Sequence, residues 1–264
     1  MAGLLLKFAL FSDWLAYDMN LFRCVKMRYL VNLNKAITIP LLLYFMRYYQ
    51  NFSMGAMLYL ALHGGYSLIW LIRAAKIPDP AFDKKFSIVG LVMMIFVSIL
   101  YYYFGFLMMS GSGDQNPSPE KCMWCVTVFL LGEILMITST LQKTLCRNEK
   151  PTLVTNGLFR GIRHPNYLGE MVIYCSFVLL LNDTTAYYIL GGVFAATFPL
   201  AMIVKESRLS RFEGWTNYKS QTWALLPKLI PTSTIATGAI YALLFAVSYS
   251  IWANGGILEL LRSN

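Results

Sequence analysis

What most constrains this chain is the recurrence of apolar stretches close to the length a helix needs to cross a bilayer. A spanning helix takes about 20 mostly apolar residues. Such stretches lie near 33–48, 54–72, 87–109, 122–141, 166–182, 186–204 and 236–255, the first and fifth being short. Only Asn182-Asp183-Thr184-Thr185 separates the fifth from the sixth, which predicts a tight helical hairpin. Composition agrees. The chain is 57% hydrophobic and 13% charged, whereas a soluble domain carries about 25% charged residues. With a mean hydropathy of +0.54, it would lack the polar surface to stay dispersed in water. The expectation is an all-α, polytopic membrane helical bundle of about seven transmembrane helices, forming a single integral membrane domain over 1–264. Residues 1–35 read as an interfacial N-terminal segment. Their start, Met1 to Leu15, is apolar but broken by Lys7 and Asp13, and no small-residue cleavage site follows. Residues 236–255 read as an extra C-terminal span.

Charge tests this assignment. With the N-terminus in the cytoplasm, the segments 1–35, 73–86, 142–165 and 205–235 hold 19 of the 22 Lys and Arg, leaving Arg47, Lys121 and Arg262 opposite. Basic residues concentrate in cytoplasmic loops. The net charge of +9 therefore points to anionic lipid headgroups and not to nucleic acid. The loop 110–121, rich in Gly, Ser and Pro, reads as a flexible connector on the other side. Cys122-Met-Trp-Cys125 has the spacing of half a metal or redox site. No second pair or nearby histidine completes it, so these thiols read as apolar packing and no metal is expected.

Ionisable groups inside a span are costly and mark function by default. Three stand out. His63 reads as a hydrogen-bond partner of a neighbouring helix, and Glu133 as a neutral carboxyl joining two helices. Glu170 follows a cationic cluster by a turn or two: Arg160, Arg163, His164, then Pro165-Asn166-Tyr167. Pro165 disfavours helix at His164 and suits the first turn of the helix that follows. The cluster thus approaches the membrane in extended form beside a helix N-terminus, a setting for phosphate or carboxylate. Tyr167 and Glu170, three apart, share a helix face. A second polar run after the hairpin carries Lys205, Glu206, Arg208 and Arg211. Two cationic clusters flanking one hairpin suggest a pocket for a cofactor's phosphates, or else a basic anchor on lipid headgroups.

These residues carry a resemblance. Gly157-Leu-Phe-Arg160-x-x-Arg163-His164-Pro165-Asn166-Tyr167-x-Gly169-Glu170 resembles the signature of the steroid 5-alpha-reductase C-terminal-like membrane family, which includes the DUF1295 group. Trp70-x-x-Arg73, Asp83-Lys-Lys-Phe86, Gln142-Lys143, and Glu206 with Gly214-Trp215-x-x-Tyr218-x-x-x-Thr222-x-x-x-x-Pro227 resemble further elements of it. The likeness covers about 60–231. It implies a reductase that takes NADPH and acts on a carbon–carbon double bond of a lipid or sterol. Arg160, Arg163, His164, Asn166, Arg208, Arg211 and Tyr218 would bind the cofactor, and Tyr167 and Glu170 would be catalytic. The same core occurs in methyltransferases that use S-adenosylmethionine, which is the second reading. Gly161 stands where the family has tyrosine and Thr140 where it has aspartate. Both motivate a third reading, an inactive structural or lipid-binding subunit of a larger membrane complex. The expected location is the endoplasmic reticulum or another endomembrane, with the mitochondrial inner membrane as an alternative.

Overall fold

A computed structural model describes residues 2–19, 23, 25–147 and 152–253. They form α1 (Ala2–Asp13), a π-helical turn (Trp14–Asp18), α2 (Met27–Tyr48), α3 (Met54–Lys76), α4 (Ile88–Met109), α5 (Pro119–Arg147), α6 (Pro165–Leu181), α7 (Thr184–Leu209), the short α8 (Trp215–Gln221) and α9 (Thr234–Ala253). The only extended pairings among the described residues are single bridges, Lys26 with Lys85 and Ile162 with Trp223. The chain is thus the all-helical membrane bundle that its hydropathy predicts. Five helices, α2, α3, α4, α5 and α7, are long and apolar enough to cross a bilayer, and Pro165–Leu181 and Thr234–Ser250 are shorter apolar helices. Together they account for all seven apolar stretches. The end of the last one, beyond 253, lies outside the described residues.

Local chemistry sets the boundaries. Ser53, Ser87 and Asp183 cap α3, α4 and α7 by accepting from Ala56, Gly90 and Ala186 backbone N–H groups. Pro165 opens α6, where its missing N–H costs nothing. At the hairpin Asn182 turns left-handed (φ 54°) and donates its N–H to Val178 O, so only Asn182 and Asp183 separate α6 from α7. The 110–121 loop is not the loose connector its composition suggests. Asn51 and Ser53 hydrogen-bond Gln115, Asp114 N donates to Leu181 O, and Lys121 pairs with Asp114 at 2.6 Å.

The tightest crossing joins α5 to α6. A Cβ on Gly169 would stand 2.6 Å from Met136 N and 2.7 Å from Gly132 O, and one on Gly132 would stand 2.8 Å from Gly169 O. Glycine at both points lets the backbones touch, as small residues do between membrane helices. Glu133 and Glu170 each follow one of these glycines, so the crossing carries both carboxyls into the bundle. Lys35, which the charge count placed in a loop, lies well inside α2 and is 5% exposed. Residues 2–18 do form helix at the surface, with α1 against α7 and the π turn against α4.

A candidate active site between two cavities

The four basic segments meet around one cavity of about 550 Å³, within the size range of ligand sites. Arg73, from the end of α3, and Lys84, from the turn beyond it, line one side, and Lys143 from α5 lines another. Lys205 and Arg208 come from the last turns of α7, and Asn166, Tyr167 and Glu170 from the first turns of α6. The N-terminal segment closes the cavity with Asp13 and Tyr17. The lining holds five cationic side chains against three carboxylates, Asp13, Asp79 and Glu170. Asp13 receives Arg208 at 2.5 Å and Lys84 at 3.9 Å, while Asp79 receives Lys143 at 2.5 Å. Lys205 donates to Asn166 Oδ1 at 3.3 Å and lies 4.7 Å from the Tyr167 ring centroid. The Arg73 guanidinium lies 4.0 Å from the Trp70 ring centroid, and its buried Nε has no hydrogen-bond partner among the described residues. Burial and the Asp13 carboxylate push the Tyr17 phenol up to about 12, so it is a hydrogen-bonding hydroxyl at neutral pH.

A second, apolar cavity of about 180 Å³ lies between α4, α6 and α7, walled by Leu100, Phe104, Leu190, Val193, Phe194 and Phe198 among others. Glu170 and Thr197 line both cavities. The carboxyl of Glu170 thus stands where a polar chamber meets a greasy one. Tyr66 donates a long hydrogen bond, 3.4 Å, to Glu170 Oε1. The opposite charges that act on Glu170 come from Lys35 of α2 and Arg73 of α3, not from the two arginine clusters that frame its hairpin. Glu133, 3% exposed, feels the same two cations, and neither of its oxygens has a hydrogen-bond partner among the described residues. Two cations and two carboxyls therefore share the bundle interior, where a lone ionisable group would be costly. His63 bonds Tyr59 of its own helix, Nδ1 to Oη 3.0 Å, instead of a neighbouring one.

Of the residues that the sequence pointed to, Asn166, Tyr167, Glu170 and Arg208 share the larger cavity. Arg160, Arg163, His164, Arg211 and Tyr218 are not among its lining residues. Arg163 and Tyr218 build a clasp instead. Arg163 Nε donates to Glu206 at 2.6 Å, and its Nη1 donates to Thr222 O. Tyr218 donates to Phe159 O at 2.8 Å, and burial pushes its phenol up to about 12. Arg163 N and His164 N add bonds to Trp223 O and Ala224 O. The clasp ties the approach to α6 onto the segment after α8. His164 is fully buried in it, with Nε2 3.5 Å from Glu206 Oε1 and neither ring nitrogen hydrogen-bonded among the described residues. Burial holds its imidazole down at about 4, so it is neutral at physiological pH. Arg160 and Arg211 are exposed.

Gly161 belongs to the clasp too, its carbonyl accepting from Lys228 N at 3.0 Å. Gly161 is not among the cavity's lining residues, and a Cβ there would face Lys228 N and Pro227 at 3.7–3.8 Å. Thr140 does line the cavity, so a carboxylate at 140 would have faced its contents. Trp70, Arg73, Lys84 and Lys143, each inside a family-like element, also line it. Gln142 bonds the 157–160 turn, donating to Asn156 O at 2.7 Å and accepting from Leu158 N at 3.1 Å. The cavity residues missed from the sequence are Asp13, Tyr17 and Asp79. Asp13 gave one signal, as a lone acid breaking an apolar helix.

Fold and site together define a polytopic α-helical membrane protein with a polar chamber at one end of the bundle. The family described as "Protein of unknown function (DUF1295)" matches residues 71–222, more than half the chain, and the chain belongs to that family. No curated protein matches the sequence.

Proposed function

We propose that this protein is a membrane reductase that saturates a carbon–carbon double bond of a lipid or sterol at the expense of NADPH. The observation that carries the reading is the place of Glu170 on the common wall of the two cavities. An ionisable side chain at such a junction can meet a polar cofactor on one side and an apolar substrate on the other. The lining chemistry fits the cofactor. Five cations against three carboxylates, with an unpartnered Arg73 donor, favour a polyanion. S-adenosylmethionine is net positive at neutral pH and gains nothing from that excess. Lys84, Lys205 and Arg208 would hold the phosphates of NADPH, and Asn166 its carboxamide. When bound, NADPH supplies a hydride to one carbon of the double bond.

The chain's own residues do the rest. Glu170 holds the proton that the second carbon takes, and the Tyr66 hydroxyl, 3.4 Å away, is placed to return one. The apolar walls keep water from the reacting carbons. Tyr167, against Phe198 with centroids 5.7 Å apart, shapes the passage between the chambers.

The test is a pair of titrations on purified protein, with NADPH and with S-adenosylmethionine. The expected result is saturable NADPH binding that weakens as salt rises and weakens about tenfold in Arg208→Ala, the loss of one charge-assisted contact. Saturable binding of S-adenosylmethionine alone would reject the reductase in favour of a methyltransferase. Binding of neither would favour a structural subunit of a membrane complex.

A further inference from the structure

The polar chamber already holds an anion of its own. Asp13 ends α1, and its Oδ2 receives Arg208 at 2.5 Å, with Lys84 at 3.9 Å. These are two of the three cations proposed to hold phosphate. The carboxylate comes from a segment that precedes the family match at 71–222. The chain beside it is pinned to the start of α4. Ser87 Oγ donates to Leu15 O at 2.5 Å, and Ser87 N donates to Ala16 O at 2.9 Å. A Cβ on Gly90 would strike Ala16 O, so glycine there lets the segment lie close. Tyr17 stacks on Phe86 with centroids 5.2 Å apart. Asp13 is therefore tethered two residues from a fixed point, and a short tether gives a group an effective concentration on the order of millimolar.

The helix that ends in Asp13 is lightly held. Ala9 is its one buried side chain among the described residues, while Leu4, Leu5, Phe8 and Phe11 are exposed. In a bilayer these side chains meet lipid whether or not α1 rests on α7, so apolar burial adds little to the docked state. What keeps Asp13 in the chamber is its charge pairing. Arg208 in that pair is 49% exposed, a setting in which ion pairs are weak. The contact is thus both present and displaceable.

We propose that Asp13 is an autoinhibitory anion, a tethered carboxylate that stands where a ligand's phosphate must go. A polyanion enters the chamber only by displacing it. A free monoanion offers Arg208 and Lys84 no more charge than Asp13 does and lacks the tether, so the contact also selects for ligands of several charges. The proposal names how the cofactor site is regulated, and rests on the reductase reading only in taking Arg208 and Lys84 as phosphate ligands.

The probe is inorganic pyrophosphate, titrated into the whole purified protein in one detergent. Asp13→Asn keeps the size of the side chain and removes the competing charge. It should bind pyrophosphate about tenfold more tightly than wild type, the worth of one charge-assisted contact. Asp13→Glu, which keeps the charge, should stay within about threefold of wild type. In an Arg208→Ala background, Asp13→Asn should gain less than about threefold, because the contested cation is gone. An Asp13→Asn protein that binds pyrophosphate no more tightly than wild type would overturn the proposal, whether or not it melts lower. So would a gain that persists in full without Arg208, which would be general charge and not competition, and so would failure of both proteins to bind pyrophosphate. The expected gain in a protein that never binds NADPH would keep this proposal and discard the reductase reading. NADPH binding with no such gain would do the reverse.

Discussion

Arg163 and Glu206, 43 positions apart in sequence, face each other at 2.6 Å and are 10% and 16% exposed. They lock the entry of α6 to the exit of α7, with Lys219 reaching the other Glu206 oxygen at 3.0 Å. Arginine in this signature reads as a cofactor ligand, and here its Nε and Nη1 bond Glu206 and Thr222 O. Arg163→Ala should therefore lower stability by roughly 2–3 kcal/mol, the range of a charge-assisted contact, and change NADPH affinity by less than about threefold. Arg208→Ala should do the reverse, leaving the melting temperature nearly unchanged because the arginine of its pair with Asp13 is half exposed. Thermal melts in one detergent, together with titrations, separate the two.

The Gly132–Gly169 crossing predicts opposite outcomes for the same change on two helices. A methyl on Gly169 has backbone 2.6 Å away, whereas one on Gly191 of α7 meets nothing within 4 Å. Gly191→Ala should be neutral or stabilising by up to about 1 kcal/mol through helix propensity. Gly169→Ala should destabilise by on the order of 1–3 kcal/mol as the helices separate. Melting curves of the two variants beside wild type check the sign.

His164 supplies a pH dependence. Its imidazole is held at about 4 by burial, against an ordinary 6.5. The unfolded chain therefore binds the proton first. Stability is complete above about 6.5 and is lost as pH falls towards 4. Between pH 7 and pH 5 the loss from this group is about 2 kcal/mol. His164→Gln, which cannot be protonated, should melt with a shallower acid dependence over that window. An equal slope for both proteins would show that the imidazole is not buried neutral.

Much of this architecture could be read from the chain, for a physical reason. Hydrocarbon thickness fixes helix length, and all seven apolar stretches became helices. Asn182-Asp183 announced the hairpin because a left-handed residue followed by an N-cap is a local matter. Glu170 and Tyr167 could be singled out because a carboxyl and a phenol one turn into an apolar helix are costly there. Lys35 could not be assigned, since near the end of a basic segment it looks like one more cytoplasmic cation. Only the aromatic cage of Tyr66, Trp70 and Tyr101, assembled from α3 and α4, shows it to be interior. Nor could Arg163 be told from Arg208, because both are arginines beside the same hairpin. Which of them faces the cavity depends on the clasp formed by 159–163 with 218–224, a long-range pairing with no periodic signature. Asp13 met Arg208 across nearly the whole chain, a contact that no spacing announces.

Glu170, proposed as the reacting carboxyl at the meeting of the two cavities, is tested by Glu170→Gln, which keeps shape. The measurement is NADPH oxidation by purified protein supplied with an extract of its own membrane lipids, alongside NADPH affinity and melting temperature. Wild type should oxidise NADPH only when lipid is present. The variant should bind NADPH as wild type does and melt within a few degrees of it, yet lose oxidation by about a hundredfold or more, the usual worth of a positioned proton donor. A variant that oxidises NADPH at the wild-type rate would show that Glu170 is not the reacting carboxyl. So would one that melts far lower with binding unchanged, since Glu170 would then be only a counter-ion to Lys35 and Arg73.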